Sequence, residues 1–135
     1  MRDHLATVSA LYEAFGRGDI PFLLEQLSDG VAWEYWETSA HEAGVPWLIA
    51  RHGKAGAAEF FQTISGWKFH EFTVTDMLAS EQRVAVIVVV DEELPDGQHI
   101  RDEELHLWTF DADGKITAFR HVADTAKHIA AAGQP

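Results

Sequence analysis

Val84-Ala85-Val86-Ile87-Val88-Val89-Val90 is the longest unbroken apolar run of the chain. It is far too short for a membrane-spanning helix, which needs about 20 residues, and its β-branched residues suit a strand. Side chains of a strand alternate between two faces, and here both faces are apolar, so neither is suited to water. One face can meet helices and a core. The other needs a cover that a chain of this length hardly has left, which predicts a partner subunit.

Turn signals frame the run on both sides. Ser80-Glu81-Gln82, Pro95-Asp96-Gly97 and Asp111-Ala112-Asp113-Gly114 separate four segments that read as strands of a meander: Phe69 to Met77, Arg83 to Leu94, His99 to Phe110 and Lys115 to Val122. The first half of the chain has a different period. Leu5, Val8, Leu11, Tyr12 and Phe15 recur at helical spacing until Gly16 and Gly18. Asp19 can cap a second helix, with Pro21 in its first turn and Phe22, Leu23 and Leu27 as its buried stripe. Asp29-Gly30 reads as a turn before a strand from Val31 to Trp36, and residues 37–53 read as a loop. A third helix is expected from about Lys54 to Ile64, and a last short one from Ala126 to Ala132, capped by Asp124 or Thr125. Helices, one strand, a helix and then antiparallel strands describe an α+β domain with helices on one side of a mostly antiparallel sheet.

The bulk numbers fit that reading. The 135 residues suit one domain spanning 1–135, and 47% hydrophobic residues can fill its core. Eight Phe and five Trp supply wide, flat side chains for a core or for the walls of an apolar cavity. A formal charge of -12 argues against nucleic acid and against an anionic membrane surface, both of which attract clustered Lys and Arg. With no cysteine there is no disulfide, thiolate metal site or cysteine nucleophile. The start, Met1-Arg2-Asp3-His4-Leu5, lacks the features of a signal peptide, so a cytoplasmic protein is expected.

Four stretches carry a resemblance. They are Ala14-Phe15-Gly16-Arg17-Gly18-Asp19, Asp29-Gly30-Val31-Ala32-Trp33-Glu34, the helix after His52-Gly53-Lys54, and the ending from Trp108-Thr109-Phe110 to Asp124-Thr125. In this order they resemble the SnoaL-like polyketide cyclase and ketosteroid isomerase-related proteins of the nuclear transport factor 2-like superfamily. The resemblance implies a cone: a strongly curved sheet wrapped round helices, an internal pocket and a homodimer across the outer sheet face. Members include isomerases, cyclases, epoxide hydrolases, dehydratases and binding domains, so the fold implies a pocket without fixing its reaction.

Candidate catalytic residues follow from alternation and from this resemblance together. Glu34 shares a strand face with Ala32 and Trp36, and it matches the position of the catalytic Asp of the ketosteroid isomerases. A carboxylate among aromatics resists ionisation, which suits a general base; the alternative is a surface carboxylate on an edge strand. His106 shares a face with Trp108 and Phe110, where the isomerases use a protonated Asp to bind an oxyanion. It could equally be a buried histidine bonded to neighbouring backbone. His121 lies on the face of Phe119 and Ala123, where the cyclases and epoxide hydrolases of this superfamily place an Asp. The epoxide hydrolases also need an Asp and an Arg on a middle strand; here Ile87-Val88-Val89 is aliphatic, so that activity is not expected. Trp36, Trp108, Phe119 and Tyr12 are the expected ligand-contacting residues. Tyr12 lies one residue from the position of the isomerases' oxyanion-binding Tyr, which turns it by about 100° on a helix. Asp124 reads as a helix cap.

No His-Glu-x-x-His spacing and no Gly-rich phosphate loop occurs, although His41-Glu42 and His99 to Asp102 could attract an ion. The expectation is therefore no metal and no cofactor. The leading reading is acid–base chemistry of isomerase or cyclase type on a small, mostly apolar carbonyl compound. A ligand-binding domain without chemistry is the alternative, and a dimeric interaction module with a filled interior is a third.

Overall fold

The computed structural model describes residues 3–35 and 42–133; the expected contact Trp36 and the possible ligand His41 lie outside them. The order is α1 (His4–Gly16), α2 (Ile20–Glu25), β1 (Leu27–Tyr35), β2 (Arg51–His52), α3 (Gly53–Thr63), β3 (Lys68–Ala79), β4 (Arg83–Glu93), β5 (His99–Phe110), β6 (Ile116–Val122) and α4 (Thr125–Ala131). The six strands form one sheet in the order β2-β1-β6-β5-β4-β3. Only β1 and β6 pair in parallel, because β1 belongs to the helical half and returns to the meander's last strand. Register shifts interrupt β3–β4, β5–β6 and β1–β6. Such bulges bend strands, and bent strands let a sheet wrap round helices.

Local chemistry sets the helix ends. The carboxylates of Asp3, Asp19 and Asp124 accept backbone N–H groups of Ala6, Phe22 and Lys127, which would otherwise be unpaired in a first turn. Pro21 sits in the first turn of α2, where its missing N–H costs nothing. Leu27 is not part of the α2 stripe. It pairs with Ile116 and starts β1, so Asp29-Gly30 lies inside a strand, at its irregular stretch, and makes no turn.

The meander matches its expected strands closely, and β4 explains why. Val84, Val86, Val88 and Val90 are fully buried on the inner face. Each stands opposite an inner residue of β5: Trp108, His106, Glu104 and Asp102. Burying such a side chain is worth roughly 1.5–3 kcal/mol. Val8, Leu11 and Ala14 of α1 and Ala57 and Phe61 of α3 close the core from the other side. The outer face of β4, Ala85, Ile87 and Val89, stays only half-buried. Among the described residues no helix is long and apolar enough to cross a membrane.

Gly53 opens α3 in the left-handed region, at φ 77°, and a Cβ there would lie 3.3 Å from the Asp29 carbonyl oxygen. Gly53→Ala therefore combines backbone strain with a fixed neighbour. We expect a loss of about 1–2 kcal/mol in chemical denaturation. Gly97→Ala, also at positive φ but with open space around it, should cost less.

Candidate functional site

Alternation on β5 and β6 builds one wall of an internal cavity. Glu104, His106 and Trp108 share the inner face, and His121 and Phe119 of β6 stand opposite His106 and Trp108. Trp33 of β1 joins them, its ring 4.4 Å from Phe119. Leu11, Tyr12 and Phe15 of α1 and Phe60 and Phe61 of α3 complete the apolar walls. The enclosed volume is about 70 Å³. It opens into a wider groove between α1, the end of α3 and β3, sharing Tyr12, Phe15, Phe61, Ile64, Phe69 and Phe72.

The polar end of the cavity is organised by Glu104, which is only 3% exposed. His121 Nε2 donates to its Oε1 at 2.8 Å and His128 Nε2 to its Oε2 at 3.1 Å. His106 Nε2 lies 3.5 Å from the same Oε1. On the other side of the His106 ring, the Tyr12 hydroxyl meets Nδ1 at 2.6 Å while accepting the Trp108 indole N–H at 3.1 Å. An indole N–H can only donate. The Tyr12 proton is therefore free to point at Nδ1, which leaves the His106 proton on Nε2, toward Glu104.

The charges follow from burial and these partners. Burial opposes ionisation of Glu104, but attraction to His121 and hydrogen bonds from the three imidazoles outweigh it and hold the carboxyl well below its usual range. Burial depresses the His106 pKa, nearby His121 depresses it further, and Glu104 only partly compensates. Burial raises the Tyr12 hydroxyl, so it stays a neutral donor. Glu92, 7% exposed on the same cavity wall, is pushed up to about 8 by burial and then by the Glu104 charge.

Two effects oppose each other at His128. Burial disfavours its charge, yet hydrogen bonds to Asp102 and Glu104 raise its pKa to about 9. The Trp47 indole N–H, however, points at Nδ1 from 2.8 Å. A second proton on that nitrogen would set N–H against N–H in a buried site. The donor geometry decides for the neutral Nε2–H ring, since the charged form forfeits a buried hydrogen bond.

His106, His121, Tyr12, Trp108 and Phe119 all line this cavity. Glu34 does not, and its expected role as a base in the cavity has to be corrected. The register that sets Trp33 beside Phe119 sets Glu34 beside Arg120 on the outer face. There the two form an ion pair at 2.8 Å, with side chains 35% and 40% exposed. The bulkier apolar set, Val31 and Trp33, takes the inner face. Tyr12 points inward despite its offset in the alignment. Asp124 caps α4, and its own N–H donates to Asp102 at 2.9 Å.

The sequence reading missed Glu104, Glu92 and His128, and the contact of His128 with Trp47. Glu104 had a signal, because it lies two residues before His106 and must share its face. Glu92 had the same signal from Val84 to Val90. His128 and Trp47 meet across 81 positions and carried none.

The chain belongs to the SnoaL-like domain family, whose model matches residues 8–119. No curated protein matches it. Among solved structures it is similar to an NTF2-like protein of unknown function from Burkholderia pseudomallei, with 24% identity and TM-score 0.80 over 96% of this chain and 97% of that one. It is also similar to TerC co-crystallized with polyporic acid, with 21% identity and TM-score 0.79 over 97% and 98%. A third is a structure from Mesorhizobium loti assigned as a SnoaL-like polyketide cyclase, with 20% identity and TM-score 0.69 over 89% and 98%. At these identities the likeness establishes the fold, which is NTF2-like.

Glu92 generates a pH test. Unfolded, it loses its proton near 4.5, and folded near 8, so the folded state holds the extra proton between those values. Its contribution to stability is fully present below the lower value and is lost as pH rises through the upper one. Glu92→Gln has no such loss. Its melting temperature relative to wild type should therefore rise by several degrees between pH 4.5 and 8. A constant difference across that range would mean that the carboxyl is solvated.

Proposed function

We propose that this SnoaL-like protein is an acid–base enzyme of isomerase or cyclase type acting on a small, mostly apolar carbonyl compound. The carrying observation is the Glu104 carboxylate, which anchors imidazoles at the polar end of an aromatic-walled cavity. In its neutral form, with Nε2–H committed to Glu104, His121 has Nδ1 left as a base for a proton on the carbon beside the carbonyl. The Nε2–H of His106, held only loosely at 3.5 Å from Glu104, is the donor for the oxyanion that forms, and Tyr12 holds that ring in place from Nδ1. The proton taken by His121 returns from that imidazole to the product, while Glu92, uncharged at neutral pH, adds no second negative charge to the cavity. Glu34, on the outer face, has no part.

The cavity of about 70 Å³ is well below the roughly 300–1,000 Å³ usual for drug-sized ligands. On this reading the reacting carbonyl enters the cavity and the apolar remainder of the substrate lies in the groove lined by Phe15, Phe61, Phe69 and Phe72. TerC with polyporic acid and the Mesorhizobium loti structure assigned as a cyclase support a small organic ligand in this fold.

A binding domain without chemistry is the second reading. It is favoured by the way Tyr12, His106, Glu104, His121 and His128 satisfy one another without any ligand. His121→Ala separates the two. An enzyme should lose on the order of a hundredfold or more in kcat while ligand affinity changes little. Full turnover by the variant would remove His121 as the base. Ligand binding by wild type with no turnover across a panel of carbonyl compounds would favour the second reading.

We also propose a homodimer across the outer sheet face. Leu78 is 55% exposed there, beside Ala85, Ile87, Leu105 and Leu107, which are only half-buried. A contiguous apolar surface of this kind calls for a cover. Sedimentation at micromolar concentration should give a mass near twice 15.1 kDa, and Ile87→Asp should reduce it to one chain. A wild-type monomer at that concentration would rule the dimer out.

A further inference from the structure

The outer face carries a second cluster of titratable side chains, separate from the cavity. Glu93 of β4 stands opposite His99 of β5. His70 lies in the β3 register shift between Phe69 and Glu71, the irregularity that brings its ring to Glu93. His70 Nε2 is 2.7 Å and His99 Nε2 is 3.6 Å from the same oxygen, Glu93 Oε1. One donor atom from each residue lies within 4.8 Å of the others. Donors at about 2.0–2.2 Å from a tetrahedral ion stand about 3.3 Å apart, between the two measured spacings.

The orientation of His99 adds the decisive point. Its Nδ1 lies 2.8 Å from Asp91 Oδ1, and Asp91 Oδ2 accepts the Arg101 Nε–H at 3.1 Å. Asp91 therefore fixes the His99 ring through Nδ1 and turns Nε2 toward the Glu93 carboxylate. A carboxylate behind a histidine, a lone pair in front and a second imidazole alongside form the arrangement that holds a transition-metal ion. All three donors sit on strands of one sheet, and their side chains are partly exposed, so an ion can reach them. The inner group of Glu104, His106 and His121 also has suitable donors, but all three residues are largely buried, whereas the outer donors are open to solvent.

We propose that His70, Glu93 and His99 bind a divalent transition-metal ion of the zinc class, with Asp91 fixing the His99 ring from behind. The ion ties β3, β4 and β5 together at one end of the sheet. Three protein donors leave a fourth position for water or an incoming ligand. The site is independent of the proposed acid–base chemistry, because Glu92 and Glu93 lie on opposite faces of β4.

The test uses the full chain without a histidine tag, dialysed against chelator and titrated with Co²⁺ and Zn²⁺. Visible absorption and calorimetry should give one ion per chain, and saturating Zn²⁺ should raise the melting temperature. Asp91→Asn should weaken binding about 10–100-fold. The double variant His70→Ala, His99→Ala should lose saturable binding while keeping the far-ultraviolet spectrum of wild type. No saturable binding to wild type would overturn the proposal. So would unchanged affinity in both variants, which would put the ion at the inner histidines.

Discussion

A single buried negative charge governs the interior. Removing a carboxylate from water costs several kcal/mol unless partners replace the lost hydration. Glu104 is kept ionised by imidazoles from three elements: His106 on its own strand, His121 on β6 and His128 on α4. The consequences spread outward. Helix α4 has to dock for His128 to reach the carboxylate, and Asp124 both caps that helix and donates its N–H to Asp102. His128 in turn requires Trp47, so the segment holding Val45, Trp47 and Leu48 closes over the same end of the sheet. One charge thus ties the C-terminal helix and a long connection to the meander.

The aromatic walls make that charge effective. In an apolar volume electrostatic interactions weaken less with distance than in water, so a second carboxylate cannot also ionise cheaply. Glu92 shares the cavity with Glu104 and is driven to its acid form, while Glu104 is held as the anion. Two chemically identical groups acquire opposite states because three imidazoles sit against Glu104, whereas Glu92 feels only the longer-range attraction of His128. That division follows from position on the sheet: Glu104 lies on β5, within reach of His121 on the neighbouring β6, whereas Glu92 on β4 faces Ile100.

Much of this was legible in the sequence, and the failures have physical causes. Period-two alternation in a strand reports which side chains travel together, which puts His106 with Trp108 on β5 and Phe119 with His121 on β6, and all four line the cavity. It does not report which group faces inward. For β1 the expectation turns Ala32, Glu34 and Trp36 inward and Val31, Trp33 and Tyr35 outward, whereas the structure buries Val31 and Trp33. Asp29-Gly30 misled for a related reason, since a dipeptide that favours turns was outweighed by Leu27 already pairing with Ile116. The same rule that found His106 also implied Glu104, but a carboxylate beside a histidine reads as surface until its partners are known. Those partners come from β6 and α4, and no local pattern joins them.

The hydrogen-bond directions limit what the inner site can do with a proton. From one side the donations run from Trp108 to Tyr12 to His106 and on toward Glu104. From the other they run from Trp47 to His128 to Glu104, with His121 donating directly. Among the described residues all of them end on the carboxylate, so these bonds offer a proton no outgoing path. Glu104, held well below its usual range, is also a poor proton acceptor. On the proposed chemistry a proton taken from a substrate at His121 therefore stays on that imidazole, stabilised by the carboxylate behind it, until it returns to the same molecule. A site that stores a proton and gives it back suits rearrangement of one substrate better than hydrolysis, which must activate water and pass protons on to solvent. The closed network thus favours isomerase-type or cyclase-type chemistry within the family on physical grounds, independently of what its structural neighbours are called.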